Sequence, residues 1–189
     1  ADDDQVVVPN PGETVVVDGS ATTYTGTAGD DTFYLKVVLQ EYDTLDGGEG
    51  NDTLILDNKA QTGTIKNIEN LVVRNGDGTT TYDLSAFSSS FTLESGKAKV
   101  DNVTSQKLIA DGAETLTVNM AADQTSVDLT SQNRADQALA VALSGDSLTS
   151  VKLAVDEGAK DVAFTGSTAK VTDLTITATT SAAEDDAAS

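Results

Sequence analysis

Two segments of the chain repeat one nine-residue pattern of glycines, an aspartate and a large apolar residue. Residues 47–55, GGEGNDTLI, fit G-G-x-G-x-D-x-U-x at every defined position, where U is a large apolar residue. Residues 26–34, GTAGDDTFY, fit it with one departure, because Thr27 stands in place of the second glycine. Glycine tolerates positive φ, so it lets the backbone turn its carbonyls toward one point. The apolar residue that follows is suited to start a short strand, which would hold each turn against a core.

The same residue types predict a calcium site. Calcium takes about 6–8 oxygen ligands at roughly 2.3–2.6 Å, and backbone carbonyls are among them. Ordinary Gly/Asn/Asp turns closing β-hairpins are the alternative, but two matches in compatible register favour calcium. The predicted ligands are the carboxylates of Asp31 and Asp52, the carbonyls of the turns around Thr27, Gly29, Gly48 and Gly50, and, as additional ligands, Asp43 and Asp46.

Spacing indicates how these turns are arranged. Asp31 and Asp52 are 21 residues apart, which equals two nine-residue half-turns of a roll plus a three-residue insertion. The trio Asp43-Thr44-Leu45 begins nine residues before Asp52 but lacks the preceding glycines. The sequence therefore predicts one good site on one side of the coil, and at most a poor one on the other.

Charge and composition restrict the remaining functions. The net charge is −20, which argues against nucleic acid or an anionic membrane as a partner. With no Cys and no His, thiol and imidazole catalysis are excluded, and Arg74 and Arg134 are the only arginines. A sugar-modifying groove needs more basic residues, so we expect no enzyme. No apolar run reaches the ~18 residues of a transmembrane helix.

From residue 64 onward, short segments alternate apolar residues with Thr, Lys or Asn, which is a strand signal. Several strand centres recur about every 20 residues, and the core would be built of small aliphatic residues, since aromatics are only 4%. We therefore predict an all-β, parallel β-solenoid or β-helix-like fold, with a β-sandwich as the alternative.

Residues 135–143 are the best helix candidate, although residues 138–143 also fit a strand. The predicted divisions are an acidic arm with short strands (1–25), a calcium-binding segment (26–58), a solenoid-like scaffold (59–180) and an acidic tail (181–189).

The run from GTAGDDTF through DTLDGGEGNDTLIL to TIKNIENLVV resembles secreted bacterial RTX-type surface proteins, especially S-layer and S-layer-like proteins. The resemblance implies secretion, calcium-triggered folding and calcium-dependent assembly at the cell surface. The chain has fewer intact nonapeptides than RTX toxins or proteases carry. That departure suggests a few calcium-binding turns on a larger β-scaffold rather than a long β-roll.

Three functional hypotheses follow. The first is a structural protein of a bacterial surface layer or extracellular matrix, which self-assembles through calcium into a lattice, sheet or filament outside the cell. The second is a domain of an RTX adhesin that binds a surface or glycan, with a cell-surface polysaccharide as the partner. The third, a β-helix polysaccharide-modifying enzyme, is disfavoured by the scarcity of arginine.

Overall fold

The chain folds into short β-strands linked by turns. The computed structural model describes residues 12–59, 61–132, 138–155, 162–166 and 170–178, and within these ranges it contains no α-helix. The strands are β1 (Thr14–Val17), β2 (Thr23–Thr25), β3 (Thr32–Leu35), β4 (Thr44–Asp46), β5 (Thr53–Leu56), β6 (Thr64–Lys66), β7 (Ile68–Val73), β8 (Gly76–Asp83), β9 (Phe87–Leu93), β10 (Gly96–Val103), β11 (Lys107–Ala110), β12 (Ala113–Met120), β13 (Ser126–Ser131), β14 (Leu139–Ser144), β15 (Ser150–Val155), β16 (Val162–Gly166) and β17 (Asp173–Ala178). A 3₁₀ turn, Leu84–Ala86, lies between β8 and β9.

The strands form a parallel β-solenoid, as the sequence predicts. The odd-numbered strands make one sheet in the order β1-β3-β5-β7-β9-β11-β13-β15-β17, and the chain returns between them through the even-numbered strands. Those strands form two further sheets, β2-β4-β6 and β8-β10-β12-β14-β16 in spatial order, and the described strands all pair in parallel. The antiparallel pairing of a β-sandwich is absent among the described strands. Coil length varies along the long sheet, since the coil from Thr53 to its partner Asn70 is shorter than that from Ser126 to its partner Ser150.

The core is built from columns of apolar side chains that repeat from coil to coil. In most of the strands alternate residues point inward, and β5 shows the burial pattern of a strand with one face in the core. One column of paired positions runs the length of the long sheet and consists of Val15, Phe33, Leu54, Leu71, Phe91, Leu108, Leu129, Leu153 and Ile176. Its members from Phe33 to Leu153 are at most 4% exposed. These columns fix the register of the turns that connect the strands.

Three sequence expectations fall wholly or partly outside the described residues, and the acidic tail (181–189) is one that lies wholly outside them. The N-terminal valines 6–8 lie wholly outside them, as do residues 133–137, which include the start of the helix candidate. The remainder of that candidate overlaps β14, so the alternation of large and small residues there specifies a strand. None of the described segments is a helix able to reach across a lipid bilayer.

Candidate metal centre

Three turns stack at one corner of the solenoid, where the chain passes from the short sheet β2-β4-β6 to the long sheet. The first turn (residues 26–31) joins β2 to β3, the second turn (residues 47–52) joins β4 to β5, and the third turn (residues 67–69) leads from β6 into β7. After the turns, Thr32 pairs with Thr53 and Thr53 pairs with Asn70. The two glycine-rich matches therefore lie directly over one another in successive coils, as their spacing predicts.

The glycines are needed because the stacked turns approach backbone to backbone. A Cβ placed on Gly26 would lie 2.1 Å from the carbonyl oxygen of Gly47, and one on Gly48 would lie 2.2 Å from that of Thr27. Gly48 also has φ of 102°, which side-chain-bearing residues rarely adopt. The nonapeptide glycines thus allow carbonyl oxygens of one turn to face the backbone of the next.

An acidic column, formed by Glu13, Asp31, Asp52 and Glu69, runs along these coils. Each of its members immediately precedes the paired positions 14, 32, 53 and 70 of the long sheet. Each of the last three carboxylates accepts the backbone N–H of the column member one coil earlier. The donor–acceptor distances are 2.5 Å from Glu13 N to Asp31 Oδ1, 2.7 Å from Asp31 N to Asp52 Oδ1 and 2.7 Å from Asp52 N to Glu69 Oε2.

Asp31 and Asp52 occupy equivalent positions but differ in how their second oxygen is satisfied. Asp31 Oδ2 accepts the backbone N–H of Thr27 at 2.5 Å and lies 3.2 Å from the Thr27 hydroxyl, which donates to it. Asp52 Oδ2 is buried and has no hydrogen-bond partner, and the whole residue is 0% exposed. A buried carboxylate oxygen without a partner is costly, so this atom marks a position where a cation would be stabilising.

The two carboxyls also differ in pKa. Burial raises the pKa of Asp31, but hydrogen bonds from Glu13 and Thr27 outweigh it and hold the pKa below its usual value. Burial is the largest influence on Asp52 as well, and there it prevails, raising the pKa against the opposing hydrogen bond from the Asp31 N–H. Repulsion from neighbouring carboxylates, including Asp31 and Glu69, raises it further. The folded chain therefore disfavours the ionised form of Asp52. A bound cation would stabilise that form.

The other two carboxylates proposed as ligands have different surroundings. Asp46 forms an ion pair with Lys66 at 2.7 Å and accepts a hydrogen bond from Asn67 Nδ2 at 2.7 Å. These two partners lower the pKa of Asp46. Asp43 lies before β4, at the opposite end of that strand from the second turn, and its carboxylate accepts the Gln40 N–H at 2.7 Å. The turns bring Asp31 and Asp52 together, while Asp46 lies at the margin and Asp43 at the far end of β4.

The donor set fits calcium if backbone oxygens supply part of the shell. No three acidic side chains in the described ranges converge as a metal-binding group, so carboxylates alone would not hold an ion. The stacked turns add carbonyls: a Cβ on Gly47 would lie 1.8 Å from Asn67 O and 2.3 Å from Asp52 Oδ2. Hard oxygen donors, a buried unpartnered carboxylate oxygen and a backbone cradle match the preferences of calcium.

Sequence reasoning missed three residues at this corner, Glu13, Asn67 and Glu69. The two glutamates extend the acidic column, and Asn67 has φ of 52°, so it occupies the left-handed region that glycine would otherwise fill. A weak signal was present, since Glu69-Asn70-Leu71 repeats the acid-x-apolar trio of Asp52-Thr53-Leu54. It was hidden because the glycines that precede the trio are missing.

The fold is compatible with an RTX-like repeat architecture, and the stacked turns place the two nonapeptide matches in adjacent coils. Comparison with protein-family models, with curated proteins and with solved structures gave no match.

Proposed function

We propose that this chain is a calcium-dependent, non-catalytic structural protein of a bacterial surface layer or extracellular matrix, which self-assembles outside the cell. The observation that carries the proposal is the Asp52 carboxylate, which is buried between stacked glycine turns with one oxygen unpartnered. Asp31 and Asp52 would supply carboxylates, and carbonyls of the first and second turns would supply further oxygens. The bound ion would contribute positive charge where two carboxylates repel each other.

The electrostatic situation explains why calcium would act as a folding switch. Without a divalent cation, burial of the Asp52 carboxyl and repulsion from Asp31 and Glu69 raise its pKa, so the folded chain disfavours its negative charge. A cation that binds only the folded chain stabilises it by mass action. Extracellular calcium modules commonly bind at ~0.1–1 mM, so such a site would fill outside the cell and stay empty at cytosolic calcium.

The ends of the long sheet support self-association. Both edge strands, β1 and β17, have a neighbour on one side only among the described strands. In β17, Leu174 and Ile176 are 56% and 59% exposed, although they continue columns that are buried in β15. Unpaired strand edges are templates for pairing with another chain. The net charge of −20 makes copies repel, and calcium would lower that barrier by bridging Asp-rich loops.

The test compares the purified chain in chelator, in millimolar calcium and in sodium chloride of equal ionic strength, by light scattering and electron microscopy. We expect ordered sheets or filaments in calcium alone, because sodium screens charge but does not bridge two chains. The double variant Asp31→Ala with Asp52→Ala should assemble poorly even in calcium. A wild type that stays monomeric in calcium at high concentration would overturn the assembly proposal.

One observation favours the adhesin-domain alternative. A cavity of about 330 Å³ opens where β6 and β8, the facing edges of the two smaller sheets, are not paired. Its lining combines apolar side chains, including Phe87, with polar ones, including Gln61 and Asp83. Small-molecule sites commonly combine an apolar lining with a few polar groups that fix the ligand's orientation, and a glycan unit would be such a ligand. Binding of a glycan by the monomer in calcium, abolished by Phe87→Ala, would support this function over assembly.

A further inference from the structure

The space between the second and third turns contains the unpartnered carboxylate oxygen. Asp52 Oδ1 is directed to the preceding coil, where it accepts the Asp31 N–H. Asp52 Oδ2 lies beside Gly47, close to the same point as the carbonyl oxygen of Asn67, which belongs to the following coil. The free oxygen of Asp52 is therefore grouped with the third turn, which does not match the nonapeptide.

The corresponding carboxylate oxygen between the first and second turns already accepts hydrogen bonds. Asp31 Oδ2 lies beside Gly26 and close to the carbonyl of Gly47, which is the same arrangement one coil earlier. There, however, the backbone N–H and hydroxyl of Thr27 both donate to it. Thr27 is the single departure from the pattern in the first turn. Thr27, through its backbone N–H at 2.5 Å and its hydroxyl at 3.2 Å, thus satisfies the carboxylate oxygen whose counterpart on Asp52 has no partner.

In the third turn, Asn67 provides the left-handed backbone conformation that a glycine would otherwise provide. Asn67 adopts φ of 52° and is held there by its side chain, which donates to Asp46 Oδ1 at 2.7 Å. Its carbonyl oxygen faces Gly47. Two residues later, Glu69 brings a second carboxylate to Asp52 and fixes the Asp52 backbone N–H at 2.7 Å.

We propose that a calcium ion is held between the second and third turns by Asp52 Oδ2, the Asn67 carbonyl and the Glu69 carboxylate. This inference rests on the proposed calcium-dependent function and moves its ion from between the first and second turns, where Asp31 Oδ2 already accepts two hydrogen bonds, to an interval that the nonapeptide pattern does not include. Two carboxylates and a carbonyl provide hard oxygens and a local charge of −2, which suits a divalent ion. Water would complete a shell of about 6–8 oxygens, because the third turn is shorter than the second.

Glu13 provides a matched control, because it belongs to the same acidic column at its other end. Its backbone N–H donates to Asp31 Oδ1, and it lies two coils away from Asp52 in the register of the long sheet. Glu13→Gln and Glu69→Gln remove the same charge with the same change of side chain. In Glu69→Gln the amide oxygen could still accept the Asp52 N–H, so the fold should persist.

The test is isothermal titration of calcium chloride into the full chain and these two variants, with circular dichroism in chelator to check folding. We expect Glu69→Gln to weaken calcium binding by about 10- to 100-fold, as loss of groups at a metal site commonly does, and Glu13→Gln to change it less than twofold. If Glu69→Gln does not fold, Glu69→Asp takes its place, with a loss of several-fold expected.

The outcomes separate this inference from the proposed function. If the wild-type chain binds no calcium, both this inference and the proposed calcium-dependent function are overturned. Wild-type binding with equal affinity in the two variants, or a loss confined to Glu13→Gln, overturns the assignment to the second and third turns and leaves the proposed function standing.

Discussion

Replacing Asp52 by asparagine should stabilise the chain in chelator while abolishing its response to calcium. Asparagine keeps an oxygen to accept the Asp31 N–H, which Asp52 Oδ1 now accepts at 2.7 Å. Its Nδ2 would take the place of Oδ2, which has no partner. Because Oδ2 and Asn67 O both lie within 2.3 Å of one point beside Gly47, an amide N–H there could donate to that carbonyl.

The expected gain follows from the buried oxygen. Leaving a buried acceptor unpaired costs about 1–3 kcal/mol, and 1 kcal/mol shifts Tm by ≈ 2–4 °C in a chain of this size. Asp52→Asn should therefore raise Tm in chelator at pH 7 by roughly 2–12 °C. The raised pKa of Asp52 gives the sign of the pH dependence. The stability contributed by this carboxyl is present below its unfolded pKa and is lost as pH rises through the folded pKa. The advantage of the variant should therefore shrink near pH 3.

Thermal unfolding by circular dichroism measures these differences, with Asp31→Asn as the control of opposite sign. Both oxygens of Asp31 accept hydrogen bonds, so an amide NH₂ there would face an N–H donor and destabilise the chain. In millimolar calcium the wild type should gain stability and Asp52→Asn should not. An Asp52→Asn variant that is less stable than wild type in chelator would refute the reasoning about the unpartnered oxygen.

The remaining predictions concern the core and the turns. Burial raises the pKa of Tyr82 to about 12, so the stability that this neutral phenol contributes is lost as pH rises from 10 to 12. The Tyr82→Phe variant should therefore be more stable than the wild type in that range. At pH 7 the substitution should change the free energy of unfolding little, because the hydroxyl has no hydrogen-bond partner. Phe91→Ala, at a fully buried position, should cost about 3–5 kcal/mol in chemical unfolding. Tyr42→Ala, at an 85% exposed position, should change stability by less than ~0.5 kcal/mol. Gly47→Ala should lower Tm by more than Gly19→Ala. A Cβ on Gly47 would lie 1.8 Å from a backbone oxygen, whereas a Cβ on Gly19 would meet Val37 methyls at 3.6 Å, so that Gly19→Ala carries only the strain of its φ of 83°. Equal effects of the two alanines would contradict the stacking of the turns.

The solenoid could be predicted because its repeating elements leave a periodic signal. Alternation of apolar residues with Thr and a regular spacing of the strands are local properties, and small core residues suit a narrow coil. The stacking of the first and second turns followed from the spacing of Asp31 and Asp52 along the chain, and the pairing of Thr32 with Thr53 confirms it.

The chemistry of the individual carboxylates could not be predicted in the same way. Asp31 and Asp52 look equivalent in sequence, yet one is satisfied by Thr27 and the other is not, because this depends on the direction of a single N–H and hydroxyl. The engagement of Asp46 by Lys66 depends on a contact between successive coils, which no local pattern reveals. Glu69 escaped notice because the third turn replaces glycine by Asn67 in the left-handed region.

The most direct test of calcium binding at the stacked turns is a crystal structure of the chain grown in millimolar calcium, with the ion located by its anomalous scattering. We expect a calcium ion at this corner of the solenoid, with an Asp52 carboxylate oxygen at about 2.3–2.6 Å and backbone carbonyls of the stacked turns completing its protein ligands. Well-ordered turns with no anomalous peak near Asp52 at saturating calcium would contradict the account.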